Sequence, residues 1–330
     1  MIITQTPFRI SFVGGGTDFK DFFNVHGGAV ISSAIDKYVY VIVQKRYFDD
    51  LIYVNYSKKE IVNDVEKLEH QLVREALKKT GITKGVEITT VADIPIAGTG
   101  LGSSSSVTVG LLNALYFYQG IQKSTEELAQ EACEIEIERV GKPIGIQDQY
   151  IAAYGGLKRF NFLAHERGVE VVPMSLPEEL YKELSNNLLL FYTQKTRKSE
   201  TILREQTNNI AHRKNELLRL KTLVDRLEDV LLHADNLDAF GDLLHENWLL
   251  KKKLSTKVSD PQIDALYETA RAAGARGGKI AGAGGGGFLL LYCPADAQRS
   301  VRAALSAYRE LHFNLAHDGT KPIFMKPIHR

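Results

Sequence analysis

The first half of the chain alternates short strand-like blocks with helical periods. Residues 1–13 read as a strand ending in strand-prone Ile10, Phe12 and Val13, and break at Gly14-Gly15-Gly16-Thr17-Asp18. Strand patterns return at 29–31 and 38–43, and residues 51–56 alternate as Leu-Ile-Tyr-Val-Asn-Tyr. Val65, Leu68, Leu72, Val73, Ala76 and Leu77 give a helical period over 64–80, stopped by Lys78-Lys79 and Gly81. An apolar, β-branched run over 86–94 leads into Pro95-Ile-Ala-Gly98-Thr-Gly100-Leu-Gly102-Ser103-Ser104-Ser105-Ser106. A second helical period, Val107, Leu111, Ala114, Leu115 and Tyr118, leaves it. Ser124-Thr-Glu-Glu opens a further helix in capping style, which runs through Leu128, Ala132 and Ile135 to Val140 and stops at Gly141-Lys142-Pro143.

Beyond a helix predicted to begin near Asp148, strands are clearest at 169–172 and 188–192, with a linker and short helix over 173–183. The domain change is placed there, giving units of 1–175 and 176–330. Residues 199–255 are mostly helical. Asp260-Pro261 is a helix start, with Asp as N-cap and Pro at the first helical position, and Gly274 is its stop. Glycines 277–287 precede a strand over 288–292, then a helix over 295–311 and a last strand over 323–325.

Composition narrows the function classes. The chain has 330 residues, 44% hydrophobic and 25% charged, with a formal net charge of +1. That balance gives no overall attraction to nucleic acid or an anionic membrane, so any anion site is local. Two cysteines make no disulfide framework, and with no CxxC the expected setting is a reducing cytoplasm. The start of the chain lacks a basic and apolar leader pattern, and no apolar run approaches the roughly 18–20 residues that span a bilayer.

The candidate chemistry lies in the glycine-rich turns. Strand, glycines 98–102, then helix is the order of a phosphate cradle: missing Cβ atoms let an anion approach, and the helix N-terminus adds partial positive charge. Serines 103–106 are placed to cap N–H groups or reach a metal. Glycines 14–16 are either a hairpin turn or a backbone passing close to a ligand, with Asp18 offering a carboxylate to hydroxyls. Arg9 lies either on an exposed strand face or buried beside an anion. Asp148 is either an N-cap or a carboxylate that orients a substrate hydroxyl. Glu134, Glu136 and Glu138 alternate, so a helix spreads them over different faces; solvation explains most, with room for one turned inward to a metal. Lys195, Arg197 and Lys198 are a solvated loop or a phosphate grip. His245 and Trp248 are core-rim packing or site lining, and Lys251-Lys252-Lys253 reads as a helix end. Residues 282, 284 and 287 satisfy GxGxxG, but here the glycines precede a strand, which excludes the dinucleotide fingerprint. A backbone surface packed on a ligand or on the first cradle fits better. The Walker pattern is absent: Gly141-Lys142 is followed by Pro and Gly278-Lys279 by Ile.

Three motifs in order, Pro7-Phe-Arg9-Ile-Ser-Phe-Val-Gly-Gly-Gly-Thr17-Asp18, Pro95-Ile-Ala-Gly-Thr-Gly-Leu-Gly-Ser-Ser-Ser and Lys279-Ile-Ala-Gly-Ala-Gly-Gly-Gly-Gly-Phe288, resemble those of the GHMP small-molecule kinases over the whole chain. The first motif, Leu244-His245-Glu246-Asn-Trp248 and Ile144-Gly-Ile-Gln-Asp148-Gln look most like the branch acting on D-glycero-D-manno-heptose 7-phosphate. True galactokinases carry Gly-Glu-His-Thr-Asp where this chain has Gly-Gly-Gly-Thr-Asp. The resemblance implies an α+β, two-domain GHMP kinase fold, with an N-terminal domain like the second domain of ribosomal protein S5 and a ferredoxin-like C-terminal domain. It implies a cytoplasmic ATP- and Mg²⁺-dependent enzyme, monomer or homodimer, that phosphorylates the anomeric hydroxyl of a sugar phosphate. The alternatives are a fucose- or galactose-type sugar-1-kinase, or a non-catalytic sugar and ATP sensor on the same fold. Nucleic acid and membrane are not expected partners. By the same resemblance Asp148 and Arg9 are catalytic, and Gly98, Gly100, Leu101, Gly102, Ser103, Ser104 and Ser105 hold the nucleotide. Ser104 and Glu136 hold the metal, with Ser103 and Ser105 open beside Ser104. Gly15, Gly16, Thr17, Asp18, Gly284 and Gly285 meet the sugar. From local charge rather than from the resemblance, Lys195, Arg197 and Lys198, with Lys279 and Arg276 behind them, are the candidates for its phosphate.

Overall fold

The computed structural model describes residues 1–95, 98–165, 167–196, 199–233 and 237–326. It is α+β, with two sheets. The first has nine strands among the described residues and is organised on β1 (Ile2–Val13) and β2 (Gly28–Lys45), antiparallel partners joined through α1 (Lys20–His26). β2 is long enough to have different neighbours at its two ends. Its second half pairs with β5 (Val86–Ala92), which continues to β3 (Ile52–Asn55) and β4 (Lys59–Val62). Its first half pairs with β6 (Leu157–Phe162), which carries β7 (Val169–Pro173). β1 alternates buried and half-buried over its first four residues and is buried throughout from Thr6. The switch follows from what covers it. α3 (Ser103–Tyr118) packs on β1 and β2, and α8 (Lys214–His233) and α9 (Asp238–Lys251) also pack on β1, so the inner half of the strand has no solvent face.

Around α3 lie α2 (Gln71–Thr80), α4 (Thr125–Cys133) and α5 (Gln147–Tyr154), and α4 runs on into a π-helical turn, Glu134–Arg139. α4 starts with the expected capping box between Ser124 and Glu127. The helix expected over 64–80 is split: a short 3₁₀ turn, Val65–Lys67, precedes α2. Glu60 is the reason. Its carboxylate takes the N–H groups of Glu69 (2.6 Å) and His70 (3.1 Å), which diverts them from a helical ladder.

The second sheet, antiparallel, has the order β8 (Leu188–Tyr192), β10 (Phe288–Tyr292), β9 (Gly277–Ile280). α6 (Glu178–Asn186) leads into it; α7 (Ser199–Asn209), α8, α9 and α10 (Pro261–Ala272) fill the helical stretch; α11 (Gln298–Ala304) packs on α10. Asp260 caps α10 by accepting from the N–H groups of Gln262 and Ile263, with Pro261 following it. α11 ends before the expected 311. The chain instead runs along the free edge of β8, where Tyr192 donates to Arg309 O and Leu311 to Leu190 O. A ferredoxin-like sheet has a fourth strand; here that edge carries only the single bridge Phe191–Glu310. β11 (Leu315–Ala316) pairs with β2, and β12 (Lys321–Met325) with β1, so the end of the chain returns to the first sheet. One hydrophobic core also runs from β1 and β2 into α8, α9 and Leu290. A second core gathers Trp248, Tyr267, Leu289 and Leu291 behind the smaller sheet. No helix among the described residues is long and apolar enough to cross a membrane.

Candidate active site

The glycine turns meet where the two sheets adjoin. Gly98, Gly100 and Gly102 all have φ between 75° and 76°, a left-handed conformation that an ordinary side chain resists. A Cβ on Gly100 would lie 2.4 Å from Ala281 O, and one on Gly287 would lie 2.4 Å from Thr99 O. The 98–102 turn and the 281–287 turn are thus packed backbone on backbone, which explains why both are glycine-rich. Leu101 is fully buried and its carbonyl accepts from the Arg9 N–H at 3.0 Å, so it anchors the turn to β1.

Arg9 and Asp148 form a two-pronged ion pair. Arg9 Nε lies 2.7 Å from Asp148 Oδ1 and Nη2 2.5 Å from Oδ2, while Nη1 donates to Gly100 O at 2.7 Å. Arg9 is only 4% exposed, so the buried alternative holds for it. Asp148 is the second residue of α5 and its carboxylate faces Arg9; the N-cap position belongs to Ile146.

Glu136 is the glutamate turned inward. It is fully buried on the π-helical turn, whereas Glu138 is exposed and Glu134 pairs with Lys79 and Arg139. Its carboxylate accepts from Ser105 Oγ (2.6 Å), Gln149 Nε2 (2.8 Å) and Lys142 Nζ (3.0 Å), and from Ser104 Oγ. Lys142 also donates to Ser104 Oγ. Ser104 and Glu136 offer the hard oxygen donors that Mg²⁺ takes, so the pair fits a magnesium ion.

The first glycine motif divides by role. A Cβ on Gly14 would collide with Ala29 O, and the buried Thr17 hydroxyl bonds Gly14 O and Ala29 O, each at 2.8 Å, so both hold the turn itself. Gly15, Gly16 and Asp18 line a small cavity. Asp18 accepts from the Gly16 N–H (2.9 Å) and from Gln147 Nε2 (2.9 Å). Burial nevertheless raises its carboxyl above the ordinary range, with the nearby Asp148 adding to the rise.

Two cavities flank the Arg9–Asp148 pair. The larger, about 620 Å³, is lined by the 98–105 turn, Lys142, His70 and Leu203. The smaller, about 70 Å³, is lined by Ser11, Asp18, Gln147, Lys251 and Lys279. Arg9, Asp148, Gly282 and Ala283 line both. Of the third motif, therefore, Lys279, Gly282 and Ala283 reach the site. Gly284 and Gly285 are turned to Val258, whose carbonyl accepts from the Gly285 N–H at 2.7 Å and lies 2.8 Å from the place of a Gly284 Cβ.

The basic candidates are redistributed. Lys195 is paired with Asp260 at 2.5 Å and lines neither cavity, while Arg197 and Lys198 lie outside the described residues. Arg276 points to Asp238 and Asp242. Lys279, 1% exposed, donates to Ser11 O (2.7 Å) and Phe12 O (3.1 Å). Lys251 is the last residue of α9, as the Lys251–Lys253 run predicts, but it is buried and donates to Gly282 O; Lys252 pairs with Asp264. His245 and Trp248 are packing: His245 Nδ1 lies 2.6 Å from Tyr267 OH, and Trp248 sits in the second core. Sequence reasoning missed Gln147, Lys142 and Lys251. The only signal for them was proximity in sequence to Asp148, Glu136 and Trp248.

Residues 63–156 match the family model described as GHMP kinases N terminal domain, and residues 227–310 match GHMP kinases C terminal. A D-glycero-alpha-D-manno-heptose 7-phosphate kinase from Campylobacter jejuni is 30% identical, over 88% of this chain and 89% of that protein. A bifunctional fucokinase/GDP-fucose pyrophosphorylase from Arabidopsis thaliana is 28% identical over 93% of this chain, which spans 31% of that longer protein. The crystal structure of a D-glycero-D-manno-heptose 1-phosphate kinase from Bacteroides thetaiotaomicron superimposes with a TM-score of 0.82 at 24% identity, covering 99% of this chain and 100% of that one, a likeness of fold. With both domain models matched in order and a 30% identical relative aligned almost end to end, the chain belongs to the GHMP kinases, enzymes that take phosphate from ATP.

Proposed function

We propose that this kinase transfers the γ-phosphate of ATP to the anomeric hydroxyl of D-glycero-D-manno-heptose 7-phosphate, giving the 1,7-bisphosphate and ADP. The observation that carries the reading is the Arg9–Asp148 pair on the wall shared by two cavities. A group there touches both a nucleotide in the larger cavity and a sugar in the smaller one. In-line transfer needs positioning and charge neutralisation more than covalent help. Each Asp148 oxygen keeps a lone pair beyond its bond to Arg9, so it can accept the proton of the sugar hydroxyl. The hydroxyl oxygen bonds to the γ-phosphorus as the bond to the β,γ-bridging oxygen breaks, and ADP leaves. Arg9 offsets charge on the transferring group and holds Asp148 against the glycine turn. Ser104 and Glu136 would hold Mg²⁺, which when bound neutralises charge on the phosphate oxygens.

The phosphorylated substrate is supported by the small cavity. Two buried lysines, Lys251 and Lys279, line it. Burial pushes the Lys279 ammonium well down, and a phosphate group in the cavity would hold it charged. The 30% identical relative is named for the same substrate. Asp18, Gln147 and Ser11 offer hydrogen bonds to sugar hydroxyls; the Ser11 hydroxyl and Gln147 Oε1 are buried without a partner among the described residues. ADP release measured over heptose 7-phosphate, fucose, galactose and mannose, with ³¹P NMR of the product, tests the reading. Turnover of fucose or galactose with none of heptose 7-phosphate would replace it with a neutral-sugar 1-kinase. No ADP release with any sugar would favour a sensor.

A further inference from the structure

One charged group at the site has no part in the transfer just described. Lys142 follows the π-helical turn, and its N–H is bonded to Glu136 O at 3.0 Å, which folds the loop back over that glutamate. Its ammonium lies 3.0 Å from Glu136 Oε1 and donates to Ser104 Oγ. The Glu136 carboxylate is fully buried, and of its four bonded partners Lys142 is the one that carries charge. A buried carboxylate without a counter-charge is strongly destabilising, so the lysine satisfies a real electrostatic demand. The two groups it bridges are the two that fit a divalent ion. Mg²⁺ needs its oxygen ligands at about 2.0–2.1 Å. An ammonium between the same two oxygens fills that space and repels a second cation.

We propose that Lys142 is a resident cation at the Ser104–Glu136 pair: it holds the pair assembled without metal and must swing away when a metal–nucleotide complex loads. The inference rests on the reading of Ser104 and Glu136 as the ion-holding pair. Lys142 also lines the larger cavity, so its ammonium stays within the space that the triphosphate enters. Metal-free nucleotide is then partly served by Lys142, and metal-bound nucleotide displaces it. Both effects blunt the dependence of nucleotide affinity on Mg²⁺.

The test is calorimetric binding of a non-hydrolysable ATP analogue, with excess Mg²⁺ and with EDTA, to wild type, Lys142→Met and Glu136→Gln. The readout is the ratio of the two dissociation constants for each protein. In Lys142→Met, metal-free binding weakens and metal-bound binding holds or tightens, so the ratio rises by about tenfold or more, as expected for loss of one close charge interaction. In Glu136→Gln the ratio collapses toward one. A Lys142→Met ratio within about twofold of wild type, beside a collapsed Glu136→Gln ratio, reduces Lys142 to a packing residue. An unchanged ratio in Glu136→Gln instead removes the ion-holding pair, and with it this inference. Should Lys142→Met not fold, Lys142→Gln keeps the hydrogen bonds without the charge and gives the same readout.

Discussion

The two cavities on either side of Arg9 and Asp148 are built by different means. The larger is built around a backbone turn, residues 98–102, with the start of α3, Gly282 and Ala283, and the side chains of His70, Lys142 and Leu203 beside it. Its glycines are required because another chain segment lies where a Cβ would go. The smaller is made of side chains that converge from β1, α5, α9 and β9, namely Ser11, Gln147, Lys251 and Lys279. A backbone cradle recognises phosphate, common to all substrates of a kinase family. Converging side chains recognise one acceptor. On the function proposed above, the first cavity would take the nucleotide and the second would choose the acceptor.

Asp148→Asn cuts across both cavities and gives the largest effect. Turnover falls at least ~100-fold, the usual scale of general-base loss, while nucleotide binding by calorimetry stays near wild type. Near-normal turnover would take the proton-accepting role from Asp148 and leave the comparison without its shared wall. Gly100→Ala strikes the larger cavity alone. The new methyl would meet Ala281 O at 2.4 Å, at a φ of 76°. About 1–3 kcal/mol of strain should appear as a lower melting temperature and weaker nucleotide binding, with the KM for sugar little changed. An equal loss of sugar affinity would show that the cavities are not separable.

The same difference governs what the sequence could show. A backbone cradle leaves a local signature, since glycines at 98, 100 and 102 must be neighbours in sequence to form one turn. Asp148 and Arg9 were marked for the same reason, each sitting beside a motif. The small cavity is legible only in part: Gly15, Gly16 and Asp18 lie in the first motif, whereas Lys251 is brought to Ser11 and Lys279 only by β1 meeting α9 and β9. Lys251 reads as one of three lysines at a helix end until packing selects it. Glu136 shows the limit from another side. On a regular helix the three alternating glutamates face three ways with nothing to choose among them, and it is the π-helical turn, with Ser104 and Ser105 opposite, that selects one. The return of β12 to β1, and the capture of 309–311 by β8, are likewise pairings between distant segments.

Lys279→Met tests substrate choice directly. It removes an ammonium from the small cavity and leaves the Arg9–Asp148 pair in place. KM for the sugar phosphate should rise about tenfold, while KM for the same sugar without phosphate and the affinity for nucleotide stay within a factor of two to three, since a buried charged contact to a ligand is worth roughly this much or more. An equal rise for both sugars would make Lys279 a strut between β9 and β1. Lys251→Met run beside it shows whether the phosphate is shared between the two ammonium groups.

The smallest effect concerns stability. Asp18 in the small cavity is buried, and burial raises its carboxyl above the ordinary 3.8. The folded chain therefore holds this proton more tightly than the unfolded chain does. Between the ordinary value and the raised one, the folded state binds more protons, so stability falls with rising pH across that window and is level above it. Asp18→Asn removes the titration. An asparagine can still accept from the Gly16 N–H, and its amide can donate to Gln147 Oε1, which has no partner among the described residues, once the Gln147 amide turns over. The variant should match the wild type in melting temperature at low pH and exceed it at neutral pH, at the cost of weaker sugar binding. Parallel melting curves for the two proteins across that range would mean that Asp18 is charged without penalty. The small cavity would then be assembled without the destabilisation that a site specialised for one acceptor is expected to carry.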